Sequence, residues 1–340
     1  MSARRAVTAI KLTISVIFLA YLLATIGWSS ILELFGSVRP ALLLIPFALL
    51  AVGSVIRSYN WAFLLATLGA RLPFREVLYS HVVGTFAGAG VPSGLGTDLA
   101  RAITLNRQHG VKVETASSST IALNIANLLG LFLIAFGGAL ALLGDETLRP
   151  FSLAVLATTG SGIALAGLGL AKPEWSRRLT TPIREAVRRK EGPFFRKLGA
   201  FMDDLAVFRG RSRAIGISVA IAVISKVVSI AIAYLIAVAV DARVSFLYFL
   251  AFFPVVAFAR LLPISVAGFG GEQGLFVLMF RNAGMLATEA FVVSLLVSSL
   301  KVVYLMSCGL VYILATLRGL LRGALTESAS LENGSPDGNG

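Results

Sequence analysis

A single cysteine, Cys308, stands in the 340-residue sequence, so no disulfide can form within the chain and no Cys-x-x-Cys pair is available to hold a metal or run redox exchange. Histidine is almost as scarce. His81 and His109 are isolated from each other and from any His-Glu-x-x-His spacing, and each is read as structural or loop-exposed. A Gly-x-x-x-x-Gly-Lys-Ser/Thr phosphate loop is missing too. These absences leave no catalytic residue, no metal site and no cofactor to expect. Charge is thin at 14% of residues, and acids are the rarer sign, 17 against 30 Lys and Arg.

What fills the chain is apolar surface. Hydrophobic residues make up 57% and mean hydropathy is +0.86, the composition of a polytopic α-helical membrane protein and not of a soluble core. A net charge of +13 raises the question of nucleic acid. Twelve of the thirty basic residues, however, lie in the segment 172–213 between apolar spans, against Glu174, Glu185, Glu191, Asp203 and Asp204. That is the pattern of a cytoplasmic membrane face, and no nucleic-acid partner is expected. The same segment spaces Leu198, Phe201, Leu205 and Phe208 on one helical stripe, so it either lies on anionic lipid or serves as a solvated linker that fixes orientation.

Apolar runs set the topology. Arg4, Arg5 and Lys11 precede a run from Leu12 to about Trp28, read as a first helix with its N-terminus inside and not as a cleaved signal. A second run, Ala41 to Ile56, returns the chain and ends at Arg57, read as a snorkelling end charge, and Trp61, read as an interfacial anchor. Val77 to Val91 carries Gly84, Gly88 and Gly90. As a full crossing it would put the basic segment outside, against the positive-inside rule, so it is read as one arm of a hairpin that re-enters the cytoplasmic face. Runs at 117–143, 151–171 and 214–240 follow. The segment 246–285 begins and ends outside, as a re-entrant pair or as two short crossings, and a last helix runs from about Thr288 to Leu317.

Two turns stand out. Pro92, Ser93, Gly94, Gly96 and Asp98 form the first, and Pro263, Ser265, Gly268, Gly270 and Glu272 the second. Gly94, Gly96 and Asp98 each stand 174 residues before Gly268, Gly270 and Glu272, so the halves read as copies. The expected fold is therefore all-α, a polytopic transmembrane helix bundle with two inverted repeats, each containing a re-entrant or broken helix. One transmembrane domain over 1–325 divides into a first repeat at about 10–171, the basic cytoplasmic linker 172–213 and a second repeat at about 214–320. The tail 326–340, rich in Gly, Ser and Asn, is expected to be disordered.

Five charges fall where the membrane should be. Lys226 and Lys301 lie midway along apolar runs, and Arg260, Asp98 and Glu272 lie on or beside the turns. A lysine at mid-bilayer costs about 2.5–3.5 kcal/mol on insertion scales, so it must face the protein interior and find a partner. Either the charges pair to lock the repeats together, or the excess of three cations over two acids receives a phosphate-bearing headgroup. The glycines likewise either permit close helix contact or free backbone amides for an anion.

Arg57 and Trp61, then Pro-Ser-x-x-Gly-x-Asp-x-x-Arg at Pro92, Ser93, Gly96, Asp98 and Arg101, and Leu-Pro-x-Ser-x-x-Gly-x-Gly-x-Glu from Leu262 to Glu272, resemble the flippase-like family also described as the lysylphosphatidylglycerol synthase transmembrane region. The resemblance covers about residues 10–320. It departs at Thr97, where the family usually has glycine, and at Ala126 and Asn127, where it often has a Glu-Arg pair. It implies an inner-membrane protein of a bacterium, with cytoplasmic termini, that translocates or presents an anionic or polyprenyl-phosphate-linked lipid. Two-domain relatives add a soluble aminoacyltransferase; this sequence ends at Gly340 without one, so it is not expected to make an aminoacylated lipid alone. A secondary transporter of a small anion, a membrane-embedded transferase using Asp98 or Glu272, and an accessory subunit docking a transferase or synthase on the basic segment are the alternatives.

Overall fold

The computed structural model describes residues 36, 38–89, 95–171, 211–259 and 271–332. Within them the chain is helical, and no strand is present among the described residues. After a 3-10 turn at Pro40–Leu43 come α1 (Leu44–Thr67), α2 (Phe74–Ala89), α3 (Leu95–His109), α4 (Val113–Ala141), α5 (Arg149–Ala171), α6 (Ser212–Ala239), α7 (Phe246–Ala259), α8 (Gly271–Arg281) and α9 (Ala287–Glu332). Among the described residues, five stretches are long and apolar enough to cross a membrane: Pro40–Thr67, Val113–Ala141, Arg149–Leu168, Ser212–Ala239 and Ala287–Leu314. The chain is a polytopic membrane protein. The expected first helix, the basic segment 172–210 and both Pro/Gly turns except Gly96, Asp98 and Glu272 lie outside the described residues.

Helix boundaries follow the apolar runs with two corrections. First, α1 does not stop at Ile56. It continues to Thr67 and carries Arg57, Asn60 and Trp61 inside the bundle. Trp61 is fully buried, not interfacial, and donates its indole N–H to Ser119 Oγ of α4 at 2.9 Å. Asn60 donates to the Ser218 carbonyl of α6 at 2.9 Å. Polar groups that find partners on neighbouring helices need not end a span, because a satisfied hydrogen bond removes most of the cost of burying them. Second, α9 runs to Glu332, past the Thr326 boundary expected for the tail, through a Leu-, Ala- and Glu-containing stretch that suits a helix.

Helix order recurs with the offset of the turns. A shift of 174 residues carries the start of α4, Val113, onto the start of α9, Ala287, and overlays α1 on α6, α2 on α7 and α3 on α8. In each set a long helix is followed by two short ones and another long one. The centre is α4 against α6, with α1 and α9 also packed on α6, α5 on α4, and α7 bridging α4 and α8. Close approach at the centre depends on small residues. A β-carbon on Gly130 of α4 would stand 3.1 Å from the Val223 amide of α6, and one on Gly138 would stand 2.6 Å from the Ala251 amide of α7.

Candidate functional site

The short helix pairs α2–α3 and α7–α8 carry the charges, and each is tied to the long helix that follows it. In the first pair, glycine brings two backbones together. A β-carbon on Gly88 of α2 would run into the backbone of Gly96 and Thr97 at the start of α3, and one on Gly84 would meet the Arg101 side chain and its amide. Glycine at these two sites is what lets Arg101 lie against α2, where the residue is only 4% exposed.

Arg101 then needs acceptors. Its Nη1 meets Asp98 Oδ1 at 3.3 Å, one turn earlier on α3, and its Nη2 donates to Thr85 Oγ1 of α2 at 2.9 Å. Asn124 of α4 donates from Nδ2 to the other Asp98 oxygen at 2.8 Å, and its own Oδ1 accepts from Arg57 Nη2 of α1 at 3.4 Å. One carboxylate thus serves two guanidiniums, one directly and one through an amide. Arg57 Nε and Arg101 Nε have no hydrogen-bond partner among the described residues. Nearby on α9, the Tyr304 hydroxyl donates to Ser54 Oγ of α1 at 2.6 Å, which ties the last helix to the first half.

In the second pair, Glu272 and Gln273 open α8 and are both buried. Glu272 Oε1 lies 3.9 Å from Lys301 Nζ on α9, and Gln273 Nε2 donates to Ser298 Oγ at 3.3 Å. Asp98 and Glu272 each stand in the first turn of a short helix, where the amide dipoles favour a negative charge. Asn124 and Ser298, the groups that receive these two ends, are themselves 174 residues apart.

Of the residues singled out by sequence, Lys301 and Glu272 are therefore brought together, and Asp98 is given to Arg101 and Asn124. Lys226 is half-buried on α6, which packs against α9. Arg260, Pro92, Ser93, Gly94, Pro263, Ser265, Gly268 and Gly270 lie outside the described residues. Arg57 and Arg101 stood in the sequence motif without being assigned to the site. Their signal in the sequence was an arginine directly after an apolar run and an arginine three residues after an acid. Among the described residues no three His, Cys, Asp or Glu side chains converge as metal ligands would.

A family model described as the lysylphosphatidylglycerol synthase TM region matches residues 8–309. No curated protein matches the chain at a significant level.

Proposed function

The chain belongs to the family of the lysylphosphatidylglycerol synthase transmembrane region, and from that premise we propose that it translocates or presents an anionic or polyprenyl-phosphate-linked lipid between the leaflets of a bacterial inner membrane. The observation that carries this reading is charge balance inside an apolar bundle: Arg57, Arg101, Lys226 and Lys301 against Asp98 and Glu272. An interior with surplus cation is costly when empty and suited to a phosphate-bearing headgroup.

In this reading the two short helix pairs are re-entrant hairpins of inverted repeats. Their contacts support it. At the base of the first hairpin, Glu76 of α2 and His109 of α3 come within 3.5 Å of each other, just before α4 begins at Val113. Asp98, in the first turn of α3, meets Asn124, ~17 Å along α4 at 1.5 Å per residue. The second hairpin starts beside the far end of α4, where Gly138 packs on Leu250 and Ala251, and Glu272, in the first turn of α8, reaches Lys301, ~21 Å along α9. These contacts support a reading in which the hairpins approach from opposite ends of α4 with their acids near mid-depth.

The headgroup enters between these helix pairs and is received by Lys226 and Lys301; the sequence adds Arg260 and the two Pro/Gly turns, which lie outside the described residues. Asp98 and Glu272 balance the cations when the site is empty. Rocking of one repeat against the other changes which leaflet the site faces. The termini are cytoplasmic, and the basic segment 172–213 rests on anionic lipid or receives a membrane-associated transferase or synthase.

The test is mass spectrometry of lipids retained by the purified wild type and by a monodisperse Lys226→Ala/Lys301→Ala variant. Enrichment of a phospholipid or polyprenyl-phosphate species in the wild type, lost in the variant, is the expected result. The same bulk lipid profile in both, with anion uptake into liposomes regardless of lipid composition, would replace this reading by a small-anion transporter.

A further inference from the structure

The charge cluster of the first hairpin has the make-up of a binding seat in its own right. Its members arrive on four different helices: Arg57 on α1, Thr85 on α2, Asp98 and Arg101 on α3, and Asn124 on α4. Their depths agree by two independent counts. Arg57 is ~15 Å from the Thr67 end of α1, and Asn124 is ~17 Å from the Val113 end of α4. The two arginines are linked through one bonded chain, from Arg57 to Asn124, from Asn124 to Asp98 and from Asp98 to Arg101. Like charges held together in an apolar interior need a shared anion, and the structure gives them one carboxylate.

That carboxylate underfills the seat. A guanidinium offers five N–H donors in a planar fork. Arg101 spends one nitrogen on Asp98 and one on Thr85, Arg57 reaches the acid only through Asn124 at 3.4 Å, and both Nε atoms lack an acceptor among the described residues. The seat is also graded in exposure. Asn124 is exposed and the Asp98 side chain is 24% exposed, whereas the Arg101 side chain behind them is 5% exposed. An anion can approach from the Asn124 side and meet Arg101 at the back.

We infer that Arg57 and Arg101 form an oxyanion seat for a phosphate ester, and that Asp98 occupies it as an internal counter-anion which the ligand displaces. A tetrahedral phosphate presents more acceptor oxygens than the carboxylate and can engage both forks at once. On leaving, it returns the arginines to Asp98, so the empty protein never holds two unneutralised cations at mid-depth. The seat rests on the anionic-cargo reading and adds to it a definite place in the first half of the molecule, separate from the lysines of the second.

The experiment titrates phosphatidylglycerol, phosphatidylcholine and inorganic phosphate into the full chain in detergent micelles, followed by native mass spectrometry. Wild type retains phosphatidylglycerol over phosphatidylcholine. Arg57→Lys and Arg101→Lys, which keep the charge but lose the fork, each weaken that retention about tenfold or more. Asp98→Asn strengthens it, because the internal competitor is gone; a cluster that only locks the hairpin would instead lose lipid and thermal stability together. Inorganic phosphate bound with the same dependence on Arg57 and Arg101 assigns the seat to soluble phosphate esters as well as lipid, and phosphate that does not compete assigns it to the lipid. If both lysine-for-arginine variants retain lipid as wild type does while Lys226→Ala/Lys301→Ala does not, the seat is overturned and the anionic-cargo reading stands. If wild type fails to distinguish the two lipids, that reading falls and the seat with it.

Discussion

The two hairpins occupy matching places in the chain and are built by different means. In α2–α3, Gly84 and Gly88 let backbone meet backbone, and polar side chains hold the start of α3: Arg101 on Asp98 and Thr85, Asp98 on Asn124. In α7–α8, aromatic rings do the holding. Phe276 and Phe280 stack with centroids 4.2 Å apart, Phe249 sits 4.5 Å from Phe280, and Phe252 meets Phe280 edge-on at 5.7 Å, all four nearly or fully buried. Charge follows the same division. Asn127 stands where the second half has Lys301, and it turns back to the Leu123 carbonyl of its own helix at 2.8 Å. The first half instead draws its cations from α1 and α3. Two halves can therefore share one helix order while one short helix pair is held by packing and the other by a charge network.

That contrast can be broken at its stiffest point. Phe280→Ala removes the ring shared by Phe249, Phe252 and Phe276, and is expected to destabilise the protein by about 3–5 kcal/mol in denaturant unfolding. A loss below about 1 kcal/mol, within what surface changes give, would deny the aromatic hairpin its rigidity. Next comes Gly88→Ala, which forces α2 off the Gly96–Thr97 backbone at a cost of about 1–3 kcal/mol. It should also lower lipid retention, since Asp98 and Arg101 ride on α3; Phe280→Ala at a temperature where it stays folded should not.

Smaller effects sharpen the picture. A double-mutant cycle on Glu272→Gln and Lys301→Met should give a coupling of about 0.5–1 kcal/mol, because 3.9 Å is a loose ion pair. A coupling near zero would assign both groups to cargo and not to each other. Tyr304→Phe deletes only the bond to Ser54 and should cost about 0.6 kcal/mol in thermal or denaturant unfolding, the scale of a single interhelical hydrogen bond in a membrane protein. A much larger loss would mean that α9 is tied to the first half chiefly through that hydroxyl.

Much of this was legible in the sequence. The apolar runs located each described long helix, because hydrophobicity over some twenty residues is a local property. The doubled Pro/Gly/acid turns disclosed the 174-residue offset, which the helix starts at Val113 and Ala287 share. What sequence could not supply was partnership at a distance. Arg57 and Trp61 looked like the end of a span because their acceptors, Asn124 and Ser119, lie on a different helix, and no window around them contains either. Asp98 was expected to answer a lysine, yet an arginine one turn away and an asparagine on α4 reach it. Charge parity also left 246–285 undecided between a re-entrant pair and two crossings. The contact of Gly138 with Leu250 and Ala251 places the start of α7 beside α4, a packing fact with no sequence signature beyond a glycine.

The central claim is that the two hairpins enter from opposite faces of the membrane, and one paired labelling measurement tests it. Gln108, at the base of the first hairpin, and Asn282, at the base of the second, are exposed and stand 174 residues apart. In a Cys308→Ser background, Gln108→Cys and Asn282→Cys are treated with a membrane-impermeant maleimide in intact spheroplasts and again after permeabilisation. Labelling of position 282 in intact cells, with position 108 reacting only once the membrane is opened, is the predicted result. Labelling of both positions from the same side would contradict it.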